Sequence, residues 1–268
     1  ALSLGAGGMT NNGTFTVNSS QGINGTVLSV RQDALINGSG DVVLNLSDGN
    51  TDFSDARIAT EAGITLTIGS AQTVRGKGRL DGTVIHNGTI AADRAGQDLQ
   101  VFGDIDQSGG GEIRADNSGA VSIIASITGG TFDSDATGSV LFTPGSSSMS
   151  GVTNNGTAGL RSGAAVTLGA GGMTNNGTFT VNSNAGISGT VLIANAPALI
   201  DGTGTTILGL DPSNTDFNDA RLGAEPDQSL TFGPNQTLSG RGRLLGEIEV
   251  QGMFAPGGDT VDTVAARP

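Results

Sequence analysis

The stretch Met9–Ser19, MTNNGTFTVNS, returns letter for letter at Met173–Ser183, and a shorter echo, VTNNGT, stands at Val152–Thr157. A nucleophile or an acid/base pair is needed once per site, whereas a structural element is needed once per structural unit. The surrounding residues decide between the two. Sliding the chain by 164 positions aligns 4–91 with 168–255 without a gap, with roughly half of the aligned positions identical, the mark of a repeat architecture. NTDFSDAR at Asn50–Arg57 meets NTDFNDAR at Asn214–Arg221, and GKGRL at Gly76–Leu80 meets GRGRL at Gly240–Leu244. Divergent residues 92–167 lie between the copies, and the whole of 1–268 reads as one continuous solenoid.

Hydrophobic residues alternate over short runs: Phe15 and Val17; Val42, Leu44 and Leu46; Ile64, Leu66 and Ile68; Val121 and Ile123; Val140 and Phe142. A period of two marks strands with one buried face. Apolar spacing of three and four is rare, and Gly interrupts nearly every ten-residue window, so helices are not expected. Asn-Gly steps begin at Asn12, Asn24, Asn37, Asn87, Asn155 and Asn176. Asn-Gly is also a strong hairpin signal, which makes an antiparallel meander the competing fold. Spacing favours the other choice: the apolar runs recur every ~20–25 residues, the length of one coil of a parallel β-helix. The expectation is an all-β, right-handed parallel β-helix of about a dozen coils. In it NNGTFTV is a corner followed by a strand, with Gly13 at positive φ, Asn12 bonding locally or stacking on a neighbouring Asn, and Phe15 and Val17 inward.

Composition agrees with a thin core of small side chains. Gly supplies 46 of 268 residues, aromatics are 3%, and Trp, Tyr and Cys are absent. The net charge of −13 lacks the basic footprint that nucleic acid requires, and it disfavours adsorption to an anionic membrane. No apolar run approaches the ~20 residues of a spanning helix, so no membrane insertion of this segment is expected. The chain opens inside a repeat copy, as an excised or processed segment would.

MTNNGTFTV, the run QTVRGKGRLDGTVIHNGTIAAD at Gln72–Asp93 and GEIEVQGMFAPGGD at Gly246–Asp259 resemble the large repetitive surface proteins of bacteria, autotransporter passengers and related adhesin-like exoproteins. The resemblance implies a pectin-lyase-like right-handed β-helix, secreted and displayed at the cell surface. TVDTVAARP, after Asp259, departs from that family's usual continuation into a further strand.

Several residue sets could carry a site. In VRGKGRL, Val74, Gly76, Gly78 and Leu80 share one parity, leaving Arg75, Lys77 and Arg79 lined up outward; the second copy keeps Arg241 and Arg243 but has Ser239 at the third place. Such a stripe is a candidate ligand surface for sulfate, for carboxylate sugars or for an acidic protein. A solvated face balanced by nearby Asp is the simpler reading and is favoured, because exposed charges contribute little. The pairs Asp52/Asp55, Asp216/Asp219, Asp104/Asp106 and Asp133/Asp135 could offer some of calcium's oxygens. Capping of turns, with Arg57 and Arg221 as ion partners, is favoured instead. Asp104, Asp106 and Glu112 could be drawn as glycosidase carboxylates, and Lys77, Arg79 or Arg243 as the base of a lyase, but sugar-stacking Tyr and Trp are missing. His86 is the sole histidine and its counterpart is Val250, which argues against a metal ligand or general base. Outward Thr arrays such as Thr65 and Thr67, which could bind ice, do not look in register.

The function expected is a non-catalytic structural or adhesive segment of an exported bacterial surface protein, located outside the cell, with no cofactor and no metal. A host or matrix glycan or surface protein is the candidate partner, and end-to-end self-association is possible for a chain with open strand edges. The alternative is a β-helix that binds or degrades polysaccharide.

Overall fold

A computed structural model describes residues 1–257. TVDTVAARP and the last two residues of GEIEVQGMFAPGGD lie outside the described residues. The described residues form two compact units, Ala1–Val140 and a second beginning at Leu141. Among the described residues helix is confined to two single 3-10 turns, Phe53–Asp55 and Phe217–Asp219.

In the first unit each coil contributes three strands, and each strand pairs in parallel with its successor on the same face. Leu2–Leu4 pairs with Thr26–Val30, which pairs with Ala56–Thr60. Met9–Thr10 pairs with Ala34–Asn37, and that strand with Thr65–Ile68. Thr14–Val17 pairs with Asp41–Asn45. This is a parallel β-helix, and the hairpin alternative fails because successive strands do not pair back on each other. The strand Thr73–His86 runs over three faces, pairing with Asp41–Asn45 through 73–77, with Ala56–Thr60 through 79–81 and with Thr65–Ile68 through 83–86. Such corners need backbone that ordinary residues avoid. Gly82 (φ 105°) turns one of them, and its register partner Gly103 (φ 110°) turns the next, so close that a Cβ on Gly103 would lie 2.3 Å from the Gly82 oxygen.

The second unit repeats the registers of the first. Val27 faces Arg57 as Val191 faces Arg221; Ala34 faces Leu66 as Ala198 faces Leu230; Asp41 faces Thr73 as Thr205 faces Thr237. The duplication is therefore one of structural units.

The core is the row of alternating apolar residues. Val42, Leu44, Leu46, Leu66 and Ile68 are fully buried, as are Phe142 and Phe179 in the second unit. Each such side chain contributes about 1.5–3 kcal/mol relative to exposure. Phe15 is only half-buried, although Val17 beside it is buried. One expectation about NNGTFTV is overturned: Gly13 does not take positive φ, and of the six Asn-Gly glycines only Gly25 and Gly38 do. What Gly13 meets is close approach, since a Cβ on Gly40 would lie 2.1 Å from the Gly13 oxygen.

The first Asn of each TNN points into the corner and the second points out. Asn11, Asn154 and Asn175 are buried, and Asn154 Nδ2 donates to Asn175 Oδ1 at 2.8 Å. On the outside Asn176 Nδ2 donates to Asn155 Oδ1 at 3.0 Å, the expected stacking, while Asn12 Oδ1 accepts from the Ser39 N–H at 3.2 Å.

Candidate functional site

The basic stripe grows from a strand that has to bend. Parity carries Val74 and Leu80 inward as expected, but Gly76 (φ 101°) breaks the alternation, and the three cations reach three different environments. Arg75 lies between two carboxylates: its Nε donates to Asp41 at 2.9 Å and its Nη1 to Asp93 at 2.8 Å. The Asp41 bond first, and Asp93 with it, hold the guanidinium above its ordinary pKa against the opposing cost of burial.

Lys77 corrects the expectation of an outward cation. It is 4% exposed, covered by the loop 46–55. Its Nζ donates to the backbone oxygens of Ser47 (3.2 Å) and Asp48 (2.8 Å) and stands 5.8 Å from the centre of the Phe53 ring. Arg241, its counterpart, does the same work: Nη1 donates to the oxygens of Asp211 and Pro212, each at 2.8 Å, and the guanidinium lies 5.0 Å over Phe217. In both copies a cation on the strand fastens the loop above it.

Arg79 is bound to Asp81 at 2.5 Å and stacks 3.8 Å over Phe102. Arg57 does not pair with Asp52 or Asp55; it takes the other oxygen of Asp81, at 3.6 Å. Arg243 is exposed and donates to Asn218 Oδ1 at 3.0 Å. Sequence reasoning missed Arg94, which donates to Asn45 Oδ1 (2.6 Å) and to the Leu46 oxygen (3.1 Å), because its partners lie nearly fifty residues earlier.

The acidic pairs hold turns, as their Asx spacing suggested. Asp52 caps the 3-10 turn, accepting from the N–H and the hydroxyl of Ser54, and that hydroxyl leads the causes that lower its pKa. Asp55 is buried and accepts from Gly25 N and Asn50 Nδ2. Asp216 and Asp219 repeat the pattern with Asn218 and Asn214. Asp106 accepts from Ser108, and Asp135 accepts from the backbone of Asn117, Thr137 and Gly138, which holds it far below the usual carboxylate range. Asp104 and Asp106 are both exposed on one outer face, with Glu112 on the strand beyond the next corner. Among the described residues no group of three or more His, Asp or Glu could hold a metal ion.

His86 sits wholly inside, register partner of Ile68, with no well-formed hydrogen bond on either ring nitrogen. Desolvation lowers its pKa to about 4, against weaker support from Gln107 and the Thr89 backbone. An imidazole so enclosed reaches no substrate. Outward Thr65 and Thr67 do not recur as a pair, since their partners on the next strand are Thr83 and Ile85; Thr157, Thr178, Thr205 and Thr237 are stacked register partners, but only one per strand. The second rank beside them is Gly159, Thr180, Ile207 and Ser239, too mixed to make a two-dimensional lattice.

No family model matches the chain, and neither curated proteins nor solved structures yield a match.

Proposed function

We propose that the chain is a non-catalytic, load-bearing and display segment of an exported bacterial surface protein. One observation supports the reading: the cations and acids singled out in the sequence are largely engaged within the chain, in ion pairs and in turn and loop contacts. Lys77, Arg75 and Arg79 each hold an intramolecular partner, and Asp52, Asp55, Asp106 and Asp135 accept from neighbouring N–H groups. A parallel ladder suits load-bearing because each coil bonds to its neighbours along the winding axis.

The loops support display. Asn18 (φ 65°) clamps Gly22 through both ends of its carboxamide, and Asn182 clamps Gly186 in the same way. Each clamped loop holds up an isoleucine, Ile23 at 74% and Ile187 at 82% exposure. A stiff loop with an apolar tip, present in both copies, is a contact point ready for a partner. The sequence resemblance to autotransporter passengers supplies the setting.

The test has two arms. The chain, fused between an export signal and an outer-membrane anchor, should become protease-accessible on intact bacteria. The purified chain should release no product from pectin, alginate or sulfated glycans. Retention inside the cell, or appearance of cleaved glycan, would overturn the proposal, the latter in favour of a polysaccharide-degrading enzyme.

A further inference from the structure

In the first copy one carboxylate serves two arginines. Arg57 and Arg79 are register partners on adjacent strands, and Asp81 binds both. The second copy keeps the arginines and loses the acid. Arg221 and Arg243 are register partners in the same way, but Leu245 occupies the position of Asp81. The two arginines thus leave the backbone one strand spacing apart, ~4.8 Å, with no acid at the place that Asp81 fills in the first copy. Among the described residues neither forms an ion pair.

Their donors are only partly used. Arg243 gives one N–H to Asn218; Arg221 Nε is buried and donates to nothing, as Arg57 Nε does in the first copy, so what separates the copies is the acid that only Arg57 and Arg79 have. The Arg221 Nη2 lies beside Gly189, where even an added Cβ would stand 3.5 Å off, so no side chain of that residue screens it. Like charges on neighbouring strands repel, and an anion shared by them relieves the repulsion while supplying acceptors to a planar fork of donors.

We propose that Arg221 and Arg243 form an oxyanion site that takes one sulfate or carboxylate group, free or carried on a sugar. The net charge of −13 selects a single group over an extended polyanion, whose length would meet the acidic remainder of the chain. This site stands apart from the display reading: a segment that binds no sulfate can still be a stalk, and a failure of export leaves the site untouched.

The full chain is titrated with sodium sulfate, and separately with glucuronate, at constant ionic strength in sodium chloride, with glucose as the neutral control. Calorimetry and the arginine Nε–H NMR signals are the readouts. One anion per chain should bind, shifting Arg221 and Arg243, and the affinity should fall at least tenfold in R221Q and R243Q. The decisive variant is L245D, which removes neither arginine and restores the arrangement already folded in the first copy; it should abolish binding with little change in melting temperature. The reciprocal D81L should raise the stoichiometry from one to two. Sulfate bound no better than chloride, undiminished binding in L245D, or a stoichiometry that stays at one in D81L would each overturn the proposal. A response to sulfate without one to glucuronate keeps the site and restricts it to sulfate.

Discussion

The carboxamide of Gln72 donates to the backbone oxygen of Asn11 at 2.7 Å, across 61 residues of sequence, and Gln236 donates to the Asn175 oxygen at 2.6 Å in the second copy. Both glutamines are buried, and the returning bonds, Asn11 to Gln72 and Asn175 to Gln236, are 3.3 Å each. The corner lying between Asn11 and Gln72 is Gly38-Ser39-Gly40, where a Cβ would fall 2.4 Å and 2.1 Å from backbone oxygens. Removing a buried hydrogen-bond partner costs about 1–3 kcal/mol. Gln72→Leu should therefore lower the melting temperature by several degrees, and Gly40→Ala by more, because the clash is with backbone that has nowhere to move. A Gly40→Ala variant that melts like the parent would show that the corner is looser than drawn.

Lys77 should matter to its loop more than to its core. Lys77→Met keeps the buried stem and removes two charge-assisted bonds, each of which contributes about 1.5–3 kcal/mol. Faster proteolytic cleavage within 46–55 is expected, with the coils intact by circular dichroism. Lys77→Arg should be well tolerated, since Arg241 performs the same task in the second copy.

His86 gives a pH dependence with a definite sign. Its folded pKa, about 4, lies below the ordinary 6.5, so the unfolded chain binds the extra proton between those values. Stability is then full above about 6.5 and falls as pH drops toward 4, by about 3 kcal/mol over the window. His86→Val, the residue found at the equivalent Val250, should remove that component. The parent-minus-variant difference in unfolding free energy isolates it from titrating carboxylates, and a difference that is flat across the window would refute the buried neutral imidazole.

Charge forced inward should separate Leu66 from Phe15. Leu66→Asp places a carboxylate in a fully buried position and should prevent folding of the first unit or cost several kcal/mol. Phe15→Asp should cost distinctly less, because Phe15 is half-exposed. Denaturant melts of the two variants compare them directly.

The sequence by itself determined the winding. Alternating apolar residues, Asn-Gly punctuation and a 164-residue self-match are local or periodic signals, and they led to parallel coils whose registers repeat between copies, such as 41 on 73 and 205 on 237. Turn-capping by Asp52 and Asp216 was equally legible, because the partners stand two residues away. Tertiary structure alone decided what lies over what. That Lys77 is roofed by 46–55, that Asp81 reaches Arg57 as well as Arg79 on its own strand, and that Arg221 and Arg243 share no such acid are facts that turn on neighbours one coil distant. Coil length varies with each loop, so which side chain arrives above another depends on the accumulated winding. Charge attracts whichever partner that winding brings near, and no local pattern records its identity.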